Sequence, residues 1–279
     1  MSTIQEKLIS SASQLSSVSD SAKLDSELLL AFVLSKPRSY LYAWEDEKIS
    51  DDEQEKFNLL LSRRIKGEPI AHILGERGFW SLDLQVTADT LIPRPDTERL
   101  VELALDIIPE QAKWNILDMG TGSGAIALSL AKERPHCSIT ATDQSLAALD
   151  IAKKNAQRNK ISNIEFIQSD WFSELEGQQF NMIVSNPPYI CDDDPHLQEG
   201  DVRFEPLSAL ASGEDGLNDI RTIIKHSQQY LVHGAALLLE HGYDQADAVC
   251  NLLKAANFTQ VQNIKDYGDN PRVSMGYFK

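Results

Sequence analysis

Cysteine is scarce in this 279-residue chain. Cys137, Cys191 and Cys250 lie far apart, their number is odd, and no Cys-x-x-Cys pair occurs. That spacing argues against a disulfide framework and against a zinc site, so no metal is expected and the thiols read as reduced. Long apolar runs are also lacking. No stretch approaches the roughly 20 residues that a membrane-spanning helix needs, and the first residues, MSTIQEKLISS, hold no apolar signal region. No membrane association is expected, and a cytoplasmic location is. Positive charge is in short supply too: 26 Lys and Arg face 42 Asp and Glu, a net charge of −16. Residues 1–75 carry 9 basic and 12 acidic side chains, net −3, which leaves −13 on the remainder. An acidic surface repels a phosphate backbone. Free nucleic acid is therefore not an expected partner, whereas a protein with a basic face suits this charge.

What is present is an ordinary globular composition, 42% hydrophobic and 24% charged, with patterning that changes along the chain. Residues 1–75 read as a small helical domain. Leu24, Leu28, Leu29, Phe32 and Val33 suggest the buried face of one helix, ended by Lys36 and Pro37. Ser50 and Glu53 form a capping box ahead of a helix with Phe57, Leu60, Leu61 and Ile65 on one face, stopped by Gly67 and Pro69. Residues 76–95 read as a β-hairpin around Phe79–Val86 and a stiff linker, Ile92-Pro93-Arg94-Pro95, where the domain junction is expected. From 96 to 279 strands alternate with helices: strands Asn115–Met119, Ser138–Thr142, Ile164–Gln168, Phe180–Val184 and Ala235–Leu239, and helices Gly124–Lys132, Ser145–Arg158, Leu217–Leu231 and Asp244–Ala256. The pattern predicts an α/β domain with a mostly parallel sheet covered by helices on both faces. Val261–Ile264 and Val273–Phe278 have only a short link, so they are expected as an antiparallel closing hairpin.

Three features of this domain suit an adenosine-bearing ligand. The string Gly120-Thr121-Gly122-Ser123-Gly124 sits between a strand and a helix, where glycine permits unusual backbone angles and close ligand approach. The next strand ends at Asp143, whose carboxylate can accept from both ribose hydroxyls. Asp170 and Trp171 follow the third strand, a carboxylate for an exocyclic amine and an aromatic for the adenine ring. Because Gly120, Gly122 and Ala125 also fit a dinucleotide fingerprint, NAD and S-adenosylmethionine both remain open on these residues alone.

The strand Phe180–Val184 runs into Ser185-Asn186-Pro187-Pro188-Tyr189. Consecutive prolines stiffen the backbone and remove two N–H donors. What remains is acceptor chemistry, from the backbone carbonyls and the Asn186 side chain, beside the flat face of Tyr189. Two rigid acceptors can grip both hydrogens of a planar –NH2 group. Such a nitrogen has a delocalised lone pair and is a poor nucleophile. Gripping its hydrogens orients it and favours the more positive nitrogen of an alkylation transition state. The reading is methyl transfer to a planar nitrogen, with Asn186, Pro187 and Tyr189 catalytic and Asn186, Pro187, Pro188 and Tyr189 binding the substrate. A dehydrogenase would leave this loop unexplained and offers no His or Tyr-Lys arrangement of persuasive spacing. An adenine-N6 methyltransferase would need a basic groove. A non-catalytic nucleotide-binding adaptor is the remaining alternative.

These motifs resemble the class I methyltransferases that modify planar nitrogens, and more narrowly the release-factor glutamine N5-methyltransferases, the PrmC/HemK family. The likeness spans almost the whole chain. It includes Gly67-Glu68-Pro69-Ile70, Leu91-Ile92-Pro93-Arg94-Pro95-Asp96-Thr97-Glu98 and Asp201-Val202-Arg203-Phe204-Glu205-Pro206. The resemblance implies a Rossmann-like, seven-stranded sheet after an all-α bundle. It implies that Gly120, Thr121, Gly122, Ser123, Gly124, Asp143, Trp171 and Asn186 hold S-adenosyl-L-methionine, with S-adenosyl-L-homocysteine as product. It further implies that Asn186 and the Pro187 carbonyl orient the glutamine of the Gly-Gly-Gln motif in peptide chain release factors, and that the N-terminal bundle helps hold that protein. Arg94, Glu98, Arg203 and Glu205 are read as bracing or lining residues, and His196 as a surface histidine.

Overall fold

The computed structural model describes residues 2–279. Its first helices are α1 (Ile4–Leu15), α2 (Ala22–Leu34), α3 (Arg38–Ala43), α4 (Asp51–Ile65) and α5 (Ile70–Leu74). The expected Ser50–Glu53 capping box starts α4, and Thr3–Glu6 forms a second one at α1. In each, the hydroxyl accepts from the third backbone N–H while the Glu reaches back to the cap N–H. Ile4, Leu15, Leu29, Leu30, Leu41 and Phe57 pack at the centre.

The buried face of α2 differs from the apolar stripe in its sequence. Leu24 and Phe32 are exposed, whereas Asp25, Ser26 and Glu27 are buried. The reason is electrostatic. Arg64 is itself buried, donates from Nε to Asp25 at 2.7 Å and from Nη1 to Asp201 at 2.8 Å. Glu27 accepts from Arg38 and from the Tyr42 hydroxyl. Charges with internal partners can occupy a helix face that hydrophobicity alone would assign to solvent. Arg64 likewise takes the inward position on α4, and Ile65 turns outward. All these groups belong to one compact unit, formed by the chain up to Glu76 together with the short segment Glu199–Phe204.

The second unit comprises Arg77–Gln198 and Glu205–Lys279. Strands β1 (Glu76–Phe79) and β2 (Leu82–Gln85) pair around Trp80 and Ser81. Then follow α6 (Glu98–Ile107), β3 (Asn115–Met119), α7 (Ala125–Glu133), β4 (Ser138–Asp143), α8 (Leu146–Arg158), β5 (Ile164–Gln168), β6 (Phe180–Ser185), α9 (Asn218–Ser227), β7 (Leu231–Glu240), α10 (Ala246–Ala255), β8 (Thr259–Lys265) and β9 (Pro271–Tyr277). The seven strands from β3 onward lie in the order β5-β4-β3-β6-β7-β9-β8. β5 through β7 in that order are parallel, and β9 runs antiparallel to both β7 and β8. The helix expected over Leu217–Leu231 is shorter. It ends at Ser227, because Phe180 N donates to the Tyr230 carbonyl at 2.7 Å and Leu231 already belongs to β7.

Both faces of the sheet are covered. Ile116, Ile139, Met182, Val184 and Leu238 pack on one side, and Leu117, Met119, Ile183, Leu237 and Leu239 on the other. That double burial explains why these strands read as unbroken apolar runs.

Asn155 on α8 ties three segments of this unit together. Fully buried, it donates to the carbonyls of Gln85 and Ser123, both at 2.9 Å, and accepts from Gln85 N at 2.6 Å. Removing it strands buried backbone groups. Asn155→Ala is expected to lower unfolding free energy by about 2–4 kcal/mol in urea titrations, with an unchanged slope. A loss under about 1 kcal/mol would show that the three contacts are dispensable.

Candidate active site

Parallel strands deliver their following loops to one edge of a sheet. Where the strand order reverses, two of those loops diverge and leave a crevice. Here the reversal falls between β3, whose chain continues toward β4, and β6, which lies on its other side. The loops after β3, β4, β5 and β6 line one pocket, through Gly120, Gly122, Asp143, Trp171, Asn186 and Pro188 among others. With Asp170, seven of the residues singled out in the sequence are thus brought together.

The others lie behind that wall. The Thr121 hydroxyl donates to Asp118 Oδ2 at 2.6 Å, and the Ser123 carbonyl accepts from Asn155. Gly124 has φ +86°, and a Cβ there would sit 2.9 Å from Leu128 Cδ1 and 3.3 Å from Ala152 Cβ, so glycine allows the turn to press against α7 and α8. Pro187 is buried. Tyr189 packs its ring at the edge of the second core cluster. Its N–H donates to the Leu210 carbonyl at 3.1 Å, its carbonyl accepts from Gln245 Nε2 at 2.9 Å, and its hydroxyl lies 3.5 Å from Glu240 Oε1.

Three amides of the glycine turn are already engaged within the protein. Thr121 N donates to the Thr142 carbonyl at 2.9 Å, Gly122 N to Asp143 Oδ2 at 2.9 Å, and Gly124 N to the Thr121 carbonyl at 2.8 Å. A pyrophosphate needs such amides free. The lining also includes Asp89, Asp143 and Asp170 but neither Lys nor Arg. A cavity of that charge favours a cationic ligand and opposes a dinucleotide. Asp143, which also accepts from Ser145 N at 2.9 Å, is pushed above the usual carboxylate range by burial, against the pull of those two backbone donors.

Two further carboxyls escaped the sequence reading. Asp118 is wholly buried, accepts from Thr121 and from Ala127 N, and leaves Oδ1 without a hydrogen-bond partner. Burial raises its pKa to about 7, opposed by those two donors. Glu240, at the end of β7, is buried and likewise pushed to about 7 by burial. Each is an acid beside the apolar residues of a strand's carboxyl end, after Ile116-Leu117 in β3 and after Leu237-Leu238-Leu239 in β7, and that was the available signal. Thr97 is the third: its hydroxyl oxygen lies 3.2 Å from Asn186 Nδ2.

The remaining candidates brace the surroundings. Glu205 accepts from Ile92 N at 2.9 Å and pairs with Arg94, and Glu98 accepts from Trp80 N at 2.8 Å. Arg203 reaches the Lys66 carbonyl at 3.3 Å within the helical unit. His196 is exposed beside Asp194. Among the described residues no group of three or more His, Cys, Asp or Glu is placed to hold a metal, and no helix is long and apolar enough to cross a membrane.

The sheet order, the closing antiparallel strands and the crevice define a class I methyltransferase domain. The family model described as "Methyltransferase small domain" matches residues 99–199, and that described as "PrmC N-terminal domain" matches residues 6–75. The chain is 52% identical over 260 residues to a release factor glutamine methyltransferase of Escherichia coli, covering 93% of this chain and 94% of that one. It is 50% identical to its counterpart in Vibrio cholerae, covering 99% and 97%. A solved methyltransferase from Pyrococcus furiosus shares the fold, with a TM-score of 0.54 at 19% identity over 78% of this chain and 96% of that one. The chain belongs to the release factor glutamine methyltransferase family.

Asp118 gives the domain a pH signature. Unfolded, it titrates near 3.8; folded, near 7. Between those values the folded protein keeps a proton that the unfolded chain has shed, so this group makes stability fall as pH rises through the window. Glu240 contributes with the same sign. The melting temperature of the wild type is therefore expected to decline from about pH 5 to about pH 7 more steeply than that of Asp118→Asn. Parallel curves would mean that Asp118 is ionised in the fold throughout.

Proposed function

We propose that this enzyme transfers a methyl group from S-adenosyl-L-methionine to the side-chain amide nitrogen of the glutamine in the Gly-Gly-Gln motif of peptide chain release factors. The observation that carries the reading is the placement of Asn186, anchored by Thr97, at the wall of a pocket lined by three aspartates and by neither Lys nor Arg. Relatives about half identical over nearly their full length bear the name release factor glutamine methyltransferase.

The pocket fits the methyl donor. Asp143 stands where ribose hydroxyls need an acceptor, and Asp170 and Trp171 stand at the next strand end for the adenine. The three acids match the positive charge of a sulfonium and an amino group. S-adenosylmethionine supplies a methyl group on a sulfonium, which departs as the neutral thioether of S-adenosylhomocysteine. The protein's task is the other reactant. An amide nitrogen becomes more positive as it is alkylated, and its two hydrogens become stronger donors. Asn186 Oδ1 and the Pro187 carbonyl accept them, holding the nitrogen in line and stabilising that charge. The N-alkylated amide then loses one hydrogen to solvent as a proton, which its high acidity permits without a dedicated base. The substrate's carrier is a protein with a basic face, consistent with the net charge of −16.

Incubation with methyl-labelled S-adenosylmethionine should place label on a release factor, and none on a release factor whose Gly-Gly-Gln glutamine is changed to alanine. Label on DNA or RNA instead would sink the proposal. Asn186→Ala is expected to lower kcat by about 10²–10³ while S-adenosylhomocysteine affinity, read by calorimetry, stays within a few-fold. Asp143→Ala should do the reverse, weakening that affinity by about tenfold or more through loss of a charged hydrogen-bond acceptor.

A further inference from the structure

Trp171 follows β5 in an unusual backbone conformation. Its φ of +48° lies in the left-handed region, which a bulky residue rarely adopts. Such strain persists only where surrounding contacts hold it, and it gathers at binding sites. Here the hold on the backbone is local. The Ser169 hydroxyl donates to the Trp171 carbonyl at 2.8 Å, and the next residue, Phe172, is buried and stacks on Tyr230 with ring centroids 4.6 Å apart.

Those contacts fix the backbone and leave the indole two side-chain torsions. At a pocket wall, a loose indole can swing into the space that a ligand needs. The ring is instead held at its two ends, by elements far apart in sequence. Its benzo edge lies on the glycine turn: a Cβ at Gly120 would stand 3.8 Å from Cζ3 and 3.9 Å from Cη2. At the other end, Nε1–H donates to Asp219 Oδ1 at 3.2 Å. An indole has one N–H donor and no acceptor, so this bond selects one orientation of the ring. Asp219 is itself held. It lies in the first turn of α9, directly before the fully buried Ile220. Its Oδ2 accepts from the Ser212 hydroxyl at 2.6 Å, and its N–H donates back to that hydroxyl at 2.9 Å. That reciprocal pair secures the entry to α9 with one carboxylate oxygen. Oδ1 is surplus to the helix and serves the indole.

We propose that Asp219 is a positioning residue for the methyl donor: through Trp171 Nε1 it locks the indole against Gly120, so that the flat face meeting the adenine does not have to be ordered on binding. The inference rests on the reading of this pocket as the S-adenosylmethionine site. Asp219 lies outside the residues that line the pocket, and its effect on the donor passes through Trp171.

Three variants and two readouts test it. Asp219→Ala removes the acceptor. Asp219→Asn keeps one, with the amide oxygen toward the indole and the NH2 toward Ser212, whose hydroxyl can turn to accept. Trp171→Phe keeps a ring and removes the donor. In calorimetry, Asp219→Ala is expected to weaken S-adenosylhomocysteine binding about tenfold, the loss of one hydrogen bond to a charged group, and Asp219→Asn by less than about threefold. In a Trp171→Phe background, Asp219→Ala should cost nothing further, because both residues act through one bond. Three results overturn the proposal: an Asp219→Ala affinity within about twofold of wild type, an equal loss in both backgrounds, or an Asp219→Asn protein as weak as Asp219→Ala. The second readout needs no ligand. In protein labelled with ¹⁵N-tryptophan, the indole signal that vanishes in Trp171→Phe should exchange with solvent about tenfold faster in Asp219→Ala than in wild type. An unchanged rate overturns the proposal too. Should Asp219→Ala fail to fold, wild type decides: a Trp171 indole that exchanges as fast as that of the exposed Trp44 sinks the idea. A wild-type protein that binds no S-adenosylhomocysteine would refute the reading of the pocket, and the indole signal would still decide the role of Asp219.

Discussion

Covering a parallel sheet on both faces leaves polar chemistry one outlet, the edge where the strands end. Side chains of β3, β4, β6 and β7 that point up or down meet apolar helices, so ligand-facing groups gather in the loops after the strands. The same covering makes any carboxyl that remains inside expensive to ionise. Asp118 and Glu240 lie on the same face of the sheet as Ile116 and Leu238, at the last turn of pleat before solvent, and both are pushed to about 7. Their neighbours explain why such acids persist. Asp118 organises the glycine turn through Thr121 and the first turn of α7 through Ala127, and Glu240 Oε1 lies 3.5 Å from the hydroxyl of Tyr189.

Asp143 shows how one side chain changes the kind of ligand a common turn receives. The glycine string is compatible with a dinucleotide site, and its spacing alone does not decide. By taking the Gly122 amide, Asp143 removes a donor that a phosphate would need and adds a negative charge in its place. With Asp89 and Asp170 in the same lining, the crevice is electrostatically set for a cation. The engaged Gly122 amide and the acidic lining together disfavour a phosphate-bearing ligand in this crevice.

The features readable in the sequence were those whose physics is local. The Ser50–Glu53 box spans three residues. The glycine turn and Asp143 mark strand ends, and Pro187 and Pro188 rule out a continuing strand. The alternation of strands and helices carried the sheet and its closing hairpin. What the sequence did not disclose depends on partners far along the chain. Thr97 and Asn186 are 89 positions apart, Ile92 and Glu205 113, and Arg64 and Asp201 137. The inward face of α2 was misread for the same reason: Asp25 and Glu27 look like solvent-facing charges until Arg64 and Arg38 are placed beside them. The helix before β7 was read as too long because apolar residues continue past Ser227, and only pairing with β6 shows that they have become a strand.

The return of Glu199–Phe204 to the helical unit bears on how this architecture can be recombined. A unit assembled from two separated stretches of chain is not a cassette that one crossover in a gene can transplant. A fragment ending at Glu76 would carry Arg64 and Asp25 without Asp201, leaving a buried guanidinium short of one of its two carboxylates. Exchange of the helical unit between relatives must therefore bring along a compatible six-residue segment from the far side of the Asn186 loop, and sequence drift at Arg64 is constrained by a position 137 residues away.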